Sequence, residues 1–230
     1  MIDTSALLAL LQLADSAFPA GGFAHSYGLE QLVSEQQIVT PEDVEQFVRS
    51  LLAHSVATGD AAAGAFAARA ASSRDLAAVV QADRSLYAMK SASELRDAST
   101  GMGRRILHEV GPYVDDPIFA GFLGRVEGGG APGTHAVVFG AAAAVLGARD
   151  HDIAAALMLG SATGILHASM RLMAISHRDV QGCLHRLRPM IAGLATEAIQ
   201  RNIAEFASFH PAQEIASMRH RRADARLFAS

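Results

Sequence analysis

Apolar residues recur at helical spacing along nearly the whole chain, and no stretch alternates apolar and polar residues for long enough to build a strand. That pattern restricts the fold to helices packed on helices. It is clearest after Thr40-Pro41-Glu42-Asp43. There the threonine can cap a helix, proline suits the first helical position, and two acids favour the positive helix end. Val44, Phe47, Val48, Leu51, Leu52 and Val56 follow at i, i+3, i+4 spacing and predict one core-facing stripe.

The same reasoning predicts a helix opening at Ser73, with Leu76, Val79, Val80 and Leu86 inward. Another carries Leu95, Met102, Ile106 and Leu107, with Gly101 and Gly103 allowing close helix contact or a kink. Asp150 and Asp152 are expected to cap a later helix, and Ser176 to Asp179 reads as a capping box. His210-Pro211 is expected to stop the last long helix. Glu127-Gly128-Gly129-Gly130-Ala131-Pro132-Gly133 joins two helical halves, either as a flexible loop or as a weak domain boundary. The expectation is an all-α, single-domain bundle of roughly eight to ten helices over residues 1–230. Residues 211–230, basic and partly amphipathic, read as a docking tail.

Composition narrows the function classes. A net charge of −4 argues against nucleic-acid binding, which needs a basic face to release phosphate counterions. Cys183 is the only cysteine, which leaves no intramolecular disulfide or multi-cysteine zinc site and fits a reducing cytoplasm. Lys90 is the only lysine and follows no glycine-rich loop, so the chain is not itself a P-loop nucleotide hydrolase. The apolar run Ala6 to Ala14 follows Asp3 and lacks a basic flank, so it reads as a helix rather than a secretory signal. Ile153 to Met170 is long and uncharged, but its Gly160, Ser161, Thr163, Gly164 and His167 favour a buried central helix over a membrane span. The small residues from Gly160 to Gly164 permit close helix packing, including across a two-fold axis.

The special residues gather at Leu13 to Glu30, LADSAFPAGGFAHSYGLE. Phe18-Pro19-Ala20-Gly21 suits a type I turn. Gly21-Gly22 permits positive φ or close backbone approach. Asp15, Ser16, His25 and Ser26 are the residue types of a hydrolytic triad, yet no G-x-S-x-G elbow supports one, and Asp15 and Ser16 serve equally well as end-of-helix residues. None of the ten histidines forms an H-x-x-x-H pair, and His177 and His185 fall about 80° apart around a helix, so no metal site is expected. In the tail, Arg219, His220, Arg221, Arg222 and Arg226 accompany Ile215, Met218, Leu227 and Phe228. That mixture is too apolar for a purely solvating terminus.

LADSAFPAGGFAHSYGLE resembles the N-terminal signature of the UreF family of urease accessory proteins, through Asp15, Phe18-Pro19, Gly21, Phe23, His25-Ser26 and Gly28-Leu29-Glu30. Three later blocks resemble the same family: ELRDASTGMGRRIL (Glu94 to Leu107), GTHAVVFG (Gly133 to Gly140) and SMRHRRADARLFAS (Ser217 to Ser230). The family commonly has Glu after the histidine of the last block, where this chain has Arg221; Arg226-Leu227-Phe228 and Ser230 match. The resemblance implies an all-α, homodimer-forming, non-enzymatic cytoplasmic adaptor. It implies bridging of the UreD (also called UreH) scaffold, which contacts apo-urease, and the GTPase UreG, for GTP-dependent nickel insertion. Nickel and GTP would be handled by the partners, with no cofactor on this chain. The alternative is a regulator of UreG acting through Arg226.

On that resemblance the partner-binding residues are Phe23, His25, Tyr27, Glu30, Arg219, His220, Arg226, Leu227 and Phe228. Pro19, Gly21 and Gly22 would shape the turn. The tail is expected to fold back beside that turn, with Phe23 an aromatic anchor and Arg226 a charged clamp.

Overall fold

The computed structural model describes residues 3–223 and 225–229, with Phe23 described by its backbone alone. The described residues form ten helices and no strand, an all-α fold as the periodicity predicts. They are α1 (Thr4–Ala14), α2 (Leu29–Ser34), a long composite α3, α4 (Leu76–Met89), α5 (Ser93–Val110), α6 (Pro117–Glu127), α7 (His135–Val145), α8 (Asp150–Leu172), α9 (His177–Ala198) and α10 (Pro211–His220).

Helix α3 runs without a break from Pro41–Leu51 through a π-helical stretch, Leu52–Ala61, into Ala62–Ser72. Its start is reciprocal. Thr40 Oγ1 accepts from the Asp43 amide, while the Asp43 carboxylate accepts from Thr40 N at 2.9 Å. All six residues of the predicted stripe are buried. The wider π turns leave carbonyls available to a neighbour: His54 O accepts from Phe209 N and Thr58 O from Ala207 N, both at 3.0 Å. The segment leading into α10 is thereby laid along α3.

The core forms where α3 crosses α7. Residues Ala136 to Ala143 of α7 are all buried, and the small ones among them, Ala136 and Gly140, let the two backbones approach. A Cβ on Gly140 would overlap the Gly64 carbonyl, and one on Gly64 would stand 2.9 Å from Ala136 O. Helix α8 is long and apolar enough to cross a membrane by length and composition, and half of its most apolar window is buried. Ile153, Leu157, Met158, Ile165 and Leu166 supply that buried face, whereas Leu159 is exposed and the space over Gly160 and Gly164 is open.

The glycine-rich connection is pinned rather than loose. The fully buried Asp83 carboxylate accepts from Gly133 N and Thr134 N at 2.7 Å and from Thr134 Oγ1 at 2.6 Å. Burial pushes the Asp83 carboxyl up, and these donors oppose that shift. Arg84 donates to Gly130 O at 2.7 Å. Gly103 lies so close to the loop that a Cβ would overlap the Gly133 carbonyl.

Three helix boundaries differ from the sequence reading. Ser73 ends α3; the chain turns at Arg74 (φ +62°) and Asp75 caps α4 by accepting from Ala78 N. On α4, Val79 and Leu86 are buried, but Leu76 and Val80 only partly so. Arg149, not Asp150, is the cap position of α8. The two acids sit in its first turn, where they complement the helix dipole, and Asp152 pairs with Arg149 at 2.9 Å. His210-Pro211 starts α10 instead of stopping a helix: the imidazole Nδ1 accepts from Gln213 N and Pro211 takes the first helical position. The Ser176–Asp179 capping box forms as expected.

Candidate functional site

The special residues after α1 make a compact turn. Asp15 ends the helix and its carboxylate accepts from Ala17 N at 2.7 Å. Pro19 and Ala20 form the turn expected between Phe18 and Gly21, within which Phe18 O accepts from Ala20 N at 2.7 Å. Gly21 has φ +81°, and the Arg105 guanidinium fills the place a Cβ would take while donating to Ala20 O. Gly22 enters a single 3₁₀ turn, Gly22–Ala24, so of the two glycines it is Gly21 whose backbone requires one. Tyr27 (φ +55°) and Gly28 (φ +86°) turn the chain into α2, and Gly28 lies directly against α10, where a Cβ would come 3.1 Å from Gln213 O.

Helix α10 turns an unusually polar face inward: Gln213, Ser217 and His220 are buried with Ala216. His220, 1% exposed, joins two carboxylates, with Nε2 2.9 Å from Glu30 Oε2 and Nδ1 3.0 Å from Glu94 Oε1. Beyond α10 the chain folds back beside the turn. Glu30 accepts from Leu227 N at 2.7 Å and Phe228 N at 3.0 Å, and Ala229 N donates to Ala24 O at 2.7 Å. Phe228 is buried beneath the Arg171 guanidinium, 4.6 Å from its ring centre. Burial alone would raise the Glu30 carboxyl; the donors from Leu227, His220 and Phe228 outweigh it and hold the group below its ordinary range.

The expected site residues therefore divide. Arg219 (paired with Glu35 at 3.0 Å), Arg226 and Leu227 present exposed surface. His25, His220 and Phe228 are buried, and Glu30 is the latch that receives the tail. Tyr27 is partly buried: its hydroxyl donates to Met102 Sδ and its side chain lines an internal cavity of about 50 Å³ with Asp60, Lys90 and His135. Burial pushes the Tyr27 hydroxyl up, and lowers His25 and His135 to about 4, Arg105 adding to the shift at His25. The Phe23 side chain and Ser230 lie outside the described residues.

Sequence reasoning missed the wall that faces the tail. A cleft of about 270 Å³ is lined by His25, Glu94, Asp97, Gly101, Arg105 and Arg226, among others. The signal was present in ELRDASTGMGRRIL, where Glu94, Asp97, Gly101 and Arg105 recur at three- and four-residue spacing and so share one face of α5. Ser26 is fully buried and its hydroxyl accepts from Glu30 N, which makes it a helix-start residue rather than an accessible nucleophile. Among the described residues no three His, Cys, Asp or Glu side chains are grouped to hold a metal ion.

The fold and site define a class: an all-α protein in which a polar-faced last helix and the segment after it are latched onto a glycine-shaped turn. The chain belongs to the UreF family, which it matches over residues 38–188. It is 32% identical over 228 residues to the urease accessory protein UreF of Trichodesmium erythraeum, covering 99% of this chain and 98% of that one. It is 33% identical over 222 residues to urease accessory protein UreF 2 of Brucella canis, covering 96% and 91%. To the urease accessory protein UreF of a Bacillus species (strain TB-90) it is 28% identical over 224 residues, covering 97% and 99%.

Proposed function

We propose that this chain is a non-enzymatic adaptor of urease maturation, bridging the UreD/UreH scaffold and the GTPase UreG during GTP-dependent nickel insertion into apo-urease. The observation that carries this reading is the composite surface made when residues 225–229 fold back on the Gly21 turn. It sets exposed Arg226 and Leu227 beside a charged cleft. Exposed Ile215 and Met218 lie three residues apart on α10, and exposed Phe209 just precedes it, the composition of a protein-binding face rather than of a solvated end. UreG is assigned the cleft and the scaffold this apolar face. Nickel and GTP stay with the partners, and the compartment is the cytoplasm, in keeping with a lone buried cysteine. Mixing the chain with UreD and UreG and weighing the complex tests the bridge. Nickel transfer into apo-urease that proceeds equally well without this chain would refute it.

A homodimer belongs to the same reading. Its support is α8, where Leu159 is exposed beside open space over Gly160 and Gly164. Sedimentation of Gly164→Gln, which blocks that face, should give monomer. A second reading makes the chain a regulator of UreG turnover, with the half-exposed Arg226 guanidinium stabilising charge in trans. Acceleration of UreG hydrolysis that Arg226→Ala abolishes would favour it over passive bridging.

A further inference from the structure

The cleft assigned to UreG has a second wall, the tail-facing side of α5, whose residues have been given no role. Glu94, Asp97, Gly101 and Arg105 form one wall of the cleft, and Arg221 and Arg226 stand across it. Apart from α5's own backbone, no atom of the described residues lies within 4 Å of the place where a Gly101 Cβ would be, so a neighbouring chain can approach α5 there. Glu94 is 7% exposed. Its Oε1 is engaged by His220, while its Oε2 is buried with no hydrogen-bond partner among the described residues. A buried carboxylate oxygen without a donor is unfavourable. Arg226 is 3.8 Å from Glu94 Oε1 and 43% exposed, close enough to supply the missing donor if drawn inward.

The charge of the cleft has a sign. Among the described residues that line it, three guanidiniums, on Arg105, Arg221 and Arg226, oppose two carboxylates, one of which already serves His220. Arg105 is fixed by its bond to Ala20 O, and Arg221 is bonded to Ser93. His25 faces the same space and is held neutral by burial and by Arg105, so it adds no charge at neutral pH. The cleft is therefore complementary to an anion that two guanidiniums can grip from opposite walls.

We propose that this cleft is a socket for an acidic side chain of the partner GTPase, gripped by Arg105 from α5 and Arg226 from the tail, with Glu94 positioning Arg226. This rests on the reading that the chain recruits that GTPase, and it adds the α5 wall and the sign of the partner's charge. Arg226 moves toward Glu94 as the acidic group enters, and the unpaired Oε2 gains its donor.

Capture of purified UreG by the full chain with its UreD scaffold, at low and at high salt, tests the socket. Arg105→Gln, which keeps a donor for Ala20 O, should weaken capture about 3-fold at low salt; Asp97→Lys, at an exposed position, should strengthen it by about as much. Both differences should shrink at high salt. Glu94→Gln should weaken capture, and adding it to Arg226→Ala should cost nothing further, as expected if it acts through that arginine. Thermal melting of each variant separates loss of folding from loss of capture, and Asp97→Lys remains informative if Arg105→Gln unfolds the turn. Unchanged capture in both charge variants, or stronger capture by Arg105→Gln and weaker capture by Asp97→Lys, would overturn the socket. Failure of the unmodified chain to capture UreG at all would instead overturn the adaptor reading and the socket with it.

Discussion

His220 and Glu30 are separated by 190 positions in the sequence and by 2.9 Å in the folded protein. Glu94 closes on the other imidazole nitrogen at 3.0 Å, so both ring nitrogens lie within hydrogen-bond distance of carboxyl oxygens. This contact joins α2, α5 and α10 and holds the Glu30 carboxylate that receives the Leu227 and Phe228 amides.

Replacing His220 with Ala should therefore release the tail. It removes the partner of two largely buried carboxylates, a change that costs about 3 kcal/mol or more when a buried charge loses its partner. Hydrogen exchange should rise at the amides of Leu227, Phe228 and Ala229 while α7 stays protected. Unchanged protection at those amides would count against the latch.

Gly140→Ala should destabilise the whole protein, since the added methyl overlaps the Gly64 carbonyl where α3 crosses α7. Overpacking of a tight core costs about 2 kcal/mol, or a Tm lower by about 4–8 °C in a chain of this size. Gly101→Ala, over open space on an α5 face, should leave Tm nearly unchanged or raised. Calorimetry of the two variants side by side checks both.

Asp83→Ala should open the glycine-rich connection. Three short hydrogen bonds end on one fully buried carboxylate, and the variant leaves Gly133 N, Thr134 N and the Thr134 hydroxyl without their acceptor. A loss of about 3 kcal/mol and new proteolytic cleavage between Gly128 and Gly133 are expected; resistance equal to the unmodified chain would contradict the pinning.

Acid should weaken the fold in two stages. His25 and His135 have folded values near 4, below the 6.5 of an unfolded imidazole. The unfolded chain thus takes up their protons first, and stability falls as pH drops from about 6.5 toward 4. Glu30 lies below its ordinary 4.5, so the stability it contributes is present above that value and is lost as pH falls through the folded value. Urea midpoints across pH 3.5 to 7 measure the first stage, which His25→Gln should flatten. Glu30→Gln should remove the second, read as exchange at Leu227 and Phe228.

Much of the helical framework was legible because its signals are local. The Thr40 and Ser176 caps and the Val44-to-Val56 stripe depend on residues within a few positions of one another, and the structure has them as read. The misread boundaries at Ser73, Asp150 and His210 share a cause. Several neighbouring polar residues can cap a helix, and the choice among them follows from where the chain must turn to pack. Arg74 takes a left-handed φ there, and the 206–210 segment is tied to α3.

In the candidate site, the turn residues stood out through their composition, and Arg226 and Leu227 through the resemblance. The interior lives of His25, Tyr27, His220 and Phe228 did not, because a histidine or aromatic reads alike in sequence whether it faces a partner or the core. Only packing tells them apart.

By itself the sequence determined an all-α chain, the residues of its turn and tail, and the family to which it belongs, since periodicity and motif spacing are properties of neighbouring residues. The tertiary structure alone decided that Glu30 receives the tail, that Glu94 shares His220 and faces Arg226, and that Arg105 covers Gly21. Each of those contacts joins residues more than eighty positions apart, and their meeting depends on how α2, α5 and α10 pack rather than on any local pattern.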